Sequence, residues 1–127
     1  MKLGAVDFLE KPFTPQQLRH RIYPILEVES NRREEMKNYQ RAMKQAQFCA
    51  SKWQYDNAIA HVKQAIGINP SNPAAFNLLG EILEFAGERL EALKQYRVAI
   101  DLDPTYEPAK DNLTRATRSP RSRPTKF

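Results

Sequence analysis

The chain has 127 residues, within the size of one domain, with 41% hydrophobic residues, four glycines and a single cysteine. No apolar run approaches the length of a bilayer crossing and no charged, apolar, small-residue leader opens the chain, so a soluble, cytoplasmic protein is expected. One cysteine, Cys49, cannot form an internal disulfide, which agrees with a reducing compartment. The net charge of +5 is unevenly distributed: +1 over residues 1–38, zero over 39–106 and +4 over 107–127. The excess belongs to the tail, which argues against a basic, phosphate-binding groove in the middle of the chain.

Residues 1–30 open with Ala5-Val6-Asp7-Phe8-Leu9, a short apolar run between Gly4 and Lys11-Pro12. This predicts a strand. Thr14 suits a helix cap, Pro15 the first helical position, and Gln17-Leu18 begin a periodic run. These residues resemble the last strand and last helix of a response-regulator receiver domain, with Gly4-Ala5, Asp7-Phe8-Leu9 and Lys11-Pro12-Phe13-Thr14 carrying the likeness. The resemblance implies that Lys11 contacts a phosphorylated carboxylate, that Phe8 changes rotamer on activation, and that the bond before Pro12 is cis. The acidic pair, the phosphoryl-accepting Asp and the Ser or Thr of a receiver all precede this part of that fold. Lys11 alone can neutralise charge but cannot transfer a phosphoryl group. An isolated strand also leaves its backbone groups unpaired, so Ala5 to Leu9 is expected to be disordered, paired with a second chain, or folded against the repeats.

The helical pattern continues to Met36, with Pro24 expected to kink or divide it. Residues 31–38, rich in Glu and Arg, read as a solvated helical connector without a sustained heptad seam.

From Tyr39 the chain repeats itself. In residues 73–106 apolar residues recur three and four apart in two runs broken at Ala86-Gly87, the pattern of a helical hairpin. Residues 39–72 follow the same plan, setting Ala58 over Ala92, Val62 over Tyr96, Ala65 over Ala99, Ile66 over Ile100, Ile68 over Leu102 and Pro70 over Pro104. Self-similarity at this period signals a stacked array. Gly80 and Ala92 are small residues that let a neighbouring helix approach, and Phe76, Leu79, Leu83, Leu90, Leu93, Tyr96 and Ile100 are expected to fill the space between. The second copy resembles the tetratricopeptide repeat, with Phe76, Leu79-Gly80, Leu83, Ala92, Tyr96, Ala99 and Pro104 in that motif's slots. The first copy matches in its second helix and departs in its first, at Ala42, Gln45, Ala46 and Cys49. The fold class implied is all-α, a superhelix of helical hairpins.

In such an array the first helix of each hairpin lines a concave groove. Counting from the matched slots places Gln40, Met43, Gln47, Ala50 and Ser51, then Asn77, Glu81, Glu84 and Phe85, along it. The resemblance implies a non-catalytic module that binds a protein or peptide, with Glu81 and Glu84 favouring a basic segment. Leu78 stands where carboxylate-holding repeats carry an Asn, so capture of a partner's terminus is not carried over. Trp53 falls in a turn where glycine is common, and its size favours packing over service as an exposed anchor. Cys49 falls on an inner slot. His20 and His61 lack partners at ligand spacing, and no phosphate loop or nucleophile elbow is present, so neither a cofactor nor an active site is expected.

Residues 107–118 predict one more helix, resembling the solvating helix that closes these arrays. Two repeats fall short of the three that usually bury a continuous core. This cap, the helix before Tyr39, or a second chain in a homodimer could supply the remainder. Residues 119–127, SPRSRPTKF, have two prolines, three basic residues and no apolar period, which predicts a disordered tail. A nucleic-acid-binding arm and a self-associating structural module are the alternatives to a docking module.

Overall fold

The computed structural model describes residues 15–124 and Phe127, with side chains described from Ser30 onward. The strand expected at Ala5 to Leu9, Phe8, Lys11, the Thr14 cap and the bond before Pro12 lie outside the described residues. Among those described there are five helices and no strand: α1 Pro15–Ser51, α2 Tyr55–Ile68, α3 Pro73–Phe85, α4 Arg89–Leu102 and α5 Glu107–Arg118. The fold is an all-α helical repeat. The chain divides into two compact units, Met1–Glu35 and Met36–Phe127, and both hairpins, with their turns and their core, belong to the second. Helix α1 begins at Pro15 and is not divided at Pro24, because a proline withholds one N–H and the flanking bonds sustain the helix.

The repeat is visible in the turns as well as in the helices. At the end of α1 the Trp53 N–H donates to the Ala50 carbonyl (3.0 Å) and the Gln54 N–H to the Cys49 carbonyl (2.9 Å). At the end of α3 the Gly87 N–H donates to Glu84 (3.1 Å) and the Glu88 N–H to Leu83 (2.8 Å). Both are Schellman closures, which satisfy the last carbonyls of a helix by turning one residue into the left-handed region. That residue is Gly87 (φ 89°) in one case and Trp53 (φ 63°) in the other. The links between hairpins also match. Asn69 Oδ1 accepts from Ser71 Oγ (3.0 Å), and Asp103 Oδ1 accepts from the Thr105 N–H (3.0 Å) and hydroxyl (2.6 Å). Short side-chain acceptors of this kind stabilise turns ahead of the next helix. Those two bonds hold the Asp103 carboxyl below its ordinary range. Asn72 caps α3 through the Ala74 N–H (2.9 Å), and Pro73 takes the first helical position.

The core follows the superposed slots. Ala58, Val62 and Ala65 on α2 and Ala92, Tyr96 and Ala99 on α4 are all fully buried. One apolar cluster joins Ala46, Cys49 and Ala50 of α1 to Ala58 and Val62 of α2 and Leu78, Leu79 and Ile82 of α3. A second joins Tyr39 and Ala42 to Ala65 and Ala75, and a third joins Ala92, Leu93 and Tyr96 to Ala116 of α5. Alanines at these crossings let helix axes approach closely while the larger residues interlock.

Two residues differ from the expected packing. Leu90 is 69% exposed, because it lies on the outward side of the first turn of α4 while Ala92 and Leu93 turn inward. Trp53 is 81% exposed: the left-handed backbone at the closure directs its side chain away from both hairpins. Free Cys49 is buried, as its inner slot predicts.

Candidate docking groove

The groove residues foreseen from the repeat slots lie on the first helices of the two hairpins. In the first hairpin, Gln40 and Gln47 are exposed and Met43 is half-buried against the apolar clusters. Ala50 is buried and belongs to the core, and Ser51 is exposed with its hydroxyl bonded back to the Phe48 carbonyl (2.6 Å). Gln40, Met43 and Gln47 are three and four apart and so share one side of α1. Shifting by thirty-four residues carries Met43, Gln47, Ala50 and Ser51 onto Asn77, Glu81, Glu84 and Phe85 of α3.

The α3 set is engaged by the chain itself. Asn112 Nδ2 donates to Asn77 Oδ1 (2.9 Å) and to Glu81 Oε2 (3.1 Å). Arg115 Nη1 donates to Glu84 Oε2 (3.3 Å), and its Nη2 pairs with Glu84 Oε1. From the other side, the Tyr96 hydroxyl donates to Glu84 Oε1 (2.6 Å). Asn77 and Glu84 are buried, and burial of a carboxylate is tolerable only with such partners. The two acidic residues that the sequence offers to a basic partner therefore face α5. Desolvation raises the Glu81 carboxyl above its ordinary value, against the Asn112 hydrogen bond and the Arg115 charge, which favour ionisation. Tyr96 is raised still further, by burial and by its donation to Glu84.

Asn112 and Arg115 were not among the residues singled out from the sequence. A signal for them existed: they stand three apart on α5, as Glu81 and Glu84 do on α3, with complementary chemistry at matching spacing. No such signal marked the tail, where disorder was expected. Pro124 is buried, and the Phe127 ring lies 5.2 Å from that of Phe85 at 55°, a tilted aromatic contact. Phe127 also packs on the cluster shared by α1, α2 and α3. The start of the tail is tied down by Arg115, whose Nη1 donates to Ser122 Oγ (2.8 Å).

Among the described residues, no cluster of His, Cys, Asp or Glu could hold a metal ion, and no helix is long and apolar enough to cross a membrane. These hairpins, their closures and their shared slots define a helical-repeat array. A family model described as tetratricopeptide repeat matches residues 39–72, the copy whose first helix departs most from the motif. The chain is similar to the Small glutamine-rich tetratricopeptide repeat-containing protein 2 of Mycosarcoma maydis, at 37% identity over 60 residues. That alignment covers 47% of this chain and 17% of the relative, so the chain spans a small part of the relative's length. Repeats of this type generally mediate protein–protein interaction.

Proposed function

We propose that this chain is a non-catalytic docking module that binds a protein segment in the concave side of its two hairpins. It serves as the output part of a two-component response regulator. The observation that carries the docking reading is the row Gln40, Met43 and Gln47. Two exposed amides flank a half-buried thioether that packs against the apolar clusters of the core. Side-chain amides can hydrogen-bond an extended backbone of any sequence, and a methionine adapts to apolar side chains of varied shape. Phe85 extends this surface onto α3. Because Asn77, Glu81 and Glu84 are engaged by α5, they hold the floor of the groove, and the partner is met chiefly at the first hairpin.

The regulatory assignment is supported by the likeness of Gly4 to Thr14, including Phe8 and Lys11, to the end of a receiver domain. On this reading the connector at residues 31–38 transmits movement into the first repeat.

Affinity capture from a lysate with the full chain, compared with a Met43→Glu, Gln47→Lys variant of unchanged helical circular dichroism, tests the docking reading. A protein held by the first and lost by the second is expected. Identical captured sets would remove the groove from the account. Insertion of two residues near Glu34 rotates the helical phase by about 200° at 3.6 residues per turn. Loss of the regulated output is expected, and unchanged output would count against transmission through the connector.

A further inference from the structure

Resting on the docking reading, we propose that the groove selects an aromatic side chain carried three residues after a proline. The chain's own Pro124 and Phe127 fill it in cis, so that a partner segment of the same chemistry must displace them. A tail with no apolar period and three basic residues has no reason to order itself unless a site captures it. Here Pro124 is buried and Phe127 lies against Phe85, one of the residues that the repeat slots assign to the groove. Phe127 also rests on the cluster built from α1, α2 and α3, where a partner's apolar anchor would also settle. Proline restricts the backbone before docking, and an aromatic ring offers a large apolar area for few rotatable bonds.

Arg115 connects tail to floor. One guanidinium pairs with buried Glu84 on α3 and donates to Ser122 at the head of the tail. Orientation of the tail is thereby fixed by a residue already held by the array. The buried ion pair stays in place when the tail leaves, because only the Ser122 bond must break. The tail is thus a tethered competitor, whose strength is set by its local concentration as much as by its contacts.

The probe is a fluorescein-labelled peptide of sequence SPRSRPTKF, titrated by anisotropy into the full chain and into its Pro124→Ser, Phe127→Ser variant. A tether of this length gives an effective concentration on the order of millimolar, so a tail of modest intrinsic affinity should weaken trans binding by about tenfold. The variant is expected to bind the peptide about tenfold more tightly than the unsubstituted chain, and Phe85→Ala in the variant should abolish that gain. Equal affinities, no binding to the variant, persistence of the gain with Phe85→Ala, or equal binding of SPRSRPTKS would each overturn the proposal. Should the variant fail to fold, the unsubstituted chain still decides: ring-proton contacts between Phe85 and Phe127 in a nuclear Overhauser spectrum are expected, and their absence overturns it. Failure of the two readings is distinguishable. If capture depends on Met43 and Gln47 but is the same with and without Phe127, the groove stands and cis occupancy falls.

Discussion

Gly80 and Tyr96 are shaped to each other across the α3–α4 crossing. A β-carbon at Gly80 would come within 2.7 Å of Tyr96 Cδ1, closer than packed carbon atoms approach, so the ring occupies the volume that a side chain on α3 would need. Thirty-four residues earlier the same two slots hold Ala46 and Val62, both fully buried. The first hairpin thus places one more carbon on the first helix and a much smaller side chain on the second. The two crossings solve the same packing problem with opposite distributions of volume.

Gly80→Ala is expected to destabilise the fold by about 1–2 kcal/mol, overpacking outweighing the gain in helix propensity. Adding Tyr96→Val transplants the first hairpin's solution. Urea denaturation of both single variants and the double should give a favourable coupling of about 1 kcal/mol or more. Simple additivity would show that the two positions do not share one volume.

Trp53 and Gly87 occupy equivalent points of two Schellman closures, yet only glycine takes a left-handed backbone without steric cost. Trp53→Gly should stabilise the chain by about 1 kcal/mol, since the exposed indole contributes little packing. Gly87→Ala should destabilise it by a similar amount. Thermal melts that rank the variants in the opposite order would contradict the closure assignment.

Arg115→Ala leaves the Glu84 carboxylate buried with Tyr96 as its remaining donor. A loss of about 3 kcal/mol is expected, because an uncompensated buried charge costs more than the pair itself contributes. Glu84→Gln with Arg115→Met, which removes both charges, should cost less than Arg115→Ala alone. The comparison is made by equilibrium unfolding at pH 7.

Glu81 gives the stability a pH dependence. Burial raises its carboxyl above the unfolded value of 4.5, so the folded chain binds the proton more tightly than the unfolded chain. Ionisation of Glu81 therefore costs stability as pH rises from the unfolded value through the raised folded one, and the penalty is constant above that window. Glu81→Gln keeps an acceptor for Asn112 and removes the charge. The variant should match the parent below pH 4.5 and be more stable at pH 7, by an excess that grows only across the window. An excess that is the same at pH 4 and pH 7 would place its origin elsewhere.

The period, the hairpins, the buried alanines and the ends of α3, α4 and α5 were legible in the sequence, because each depends on neighbours within one or two turns of chain. Apolar spacing sets a helix's inner side, Asn72-Pro73 starts one, and Gly87 ends one. Trp53 was misjudged because composition ranks a tryptophan by its size, whereas its backbone was already committed to closing α1. Leu90 was misjudged for a similar reason: at the first turn of a helix, apolar spacing does not say which side is covered.

Sequence alone determined an array of two matched hairpins closed by a further helix, since local periodicity and turn chemistry dictate those elements. Tertiary structure decided what the groove residues meet: Asn112 and Arg115 on α5 claim Asn77, Glu81 and Glu84, and Phe127 claims Phe85. Those contacts join residues thirty or more positions apart, and no local pattern encodes which of several polar or aromatic side chains will arrive first when helices pack. A carboxylate row that reads as an open invitation to a partner becomes, once α5 is in place, part of the chain's own interior.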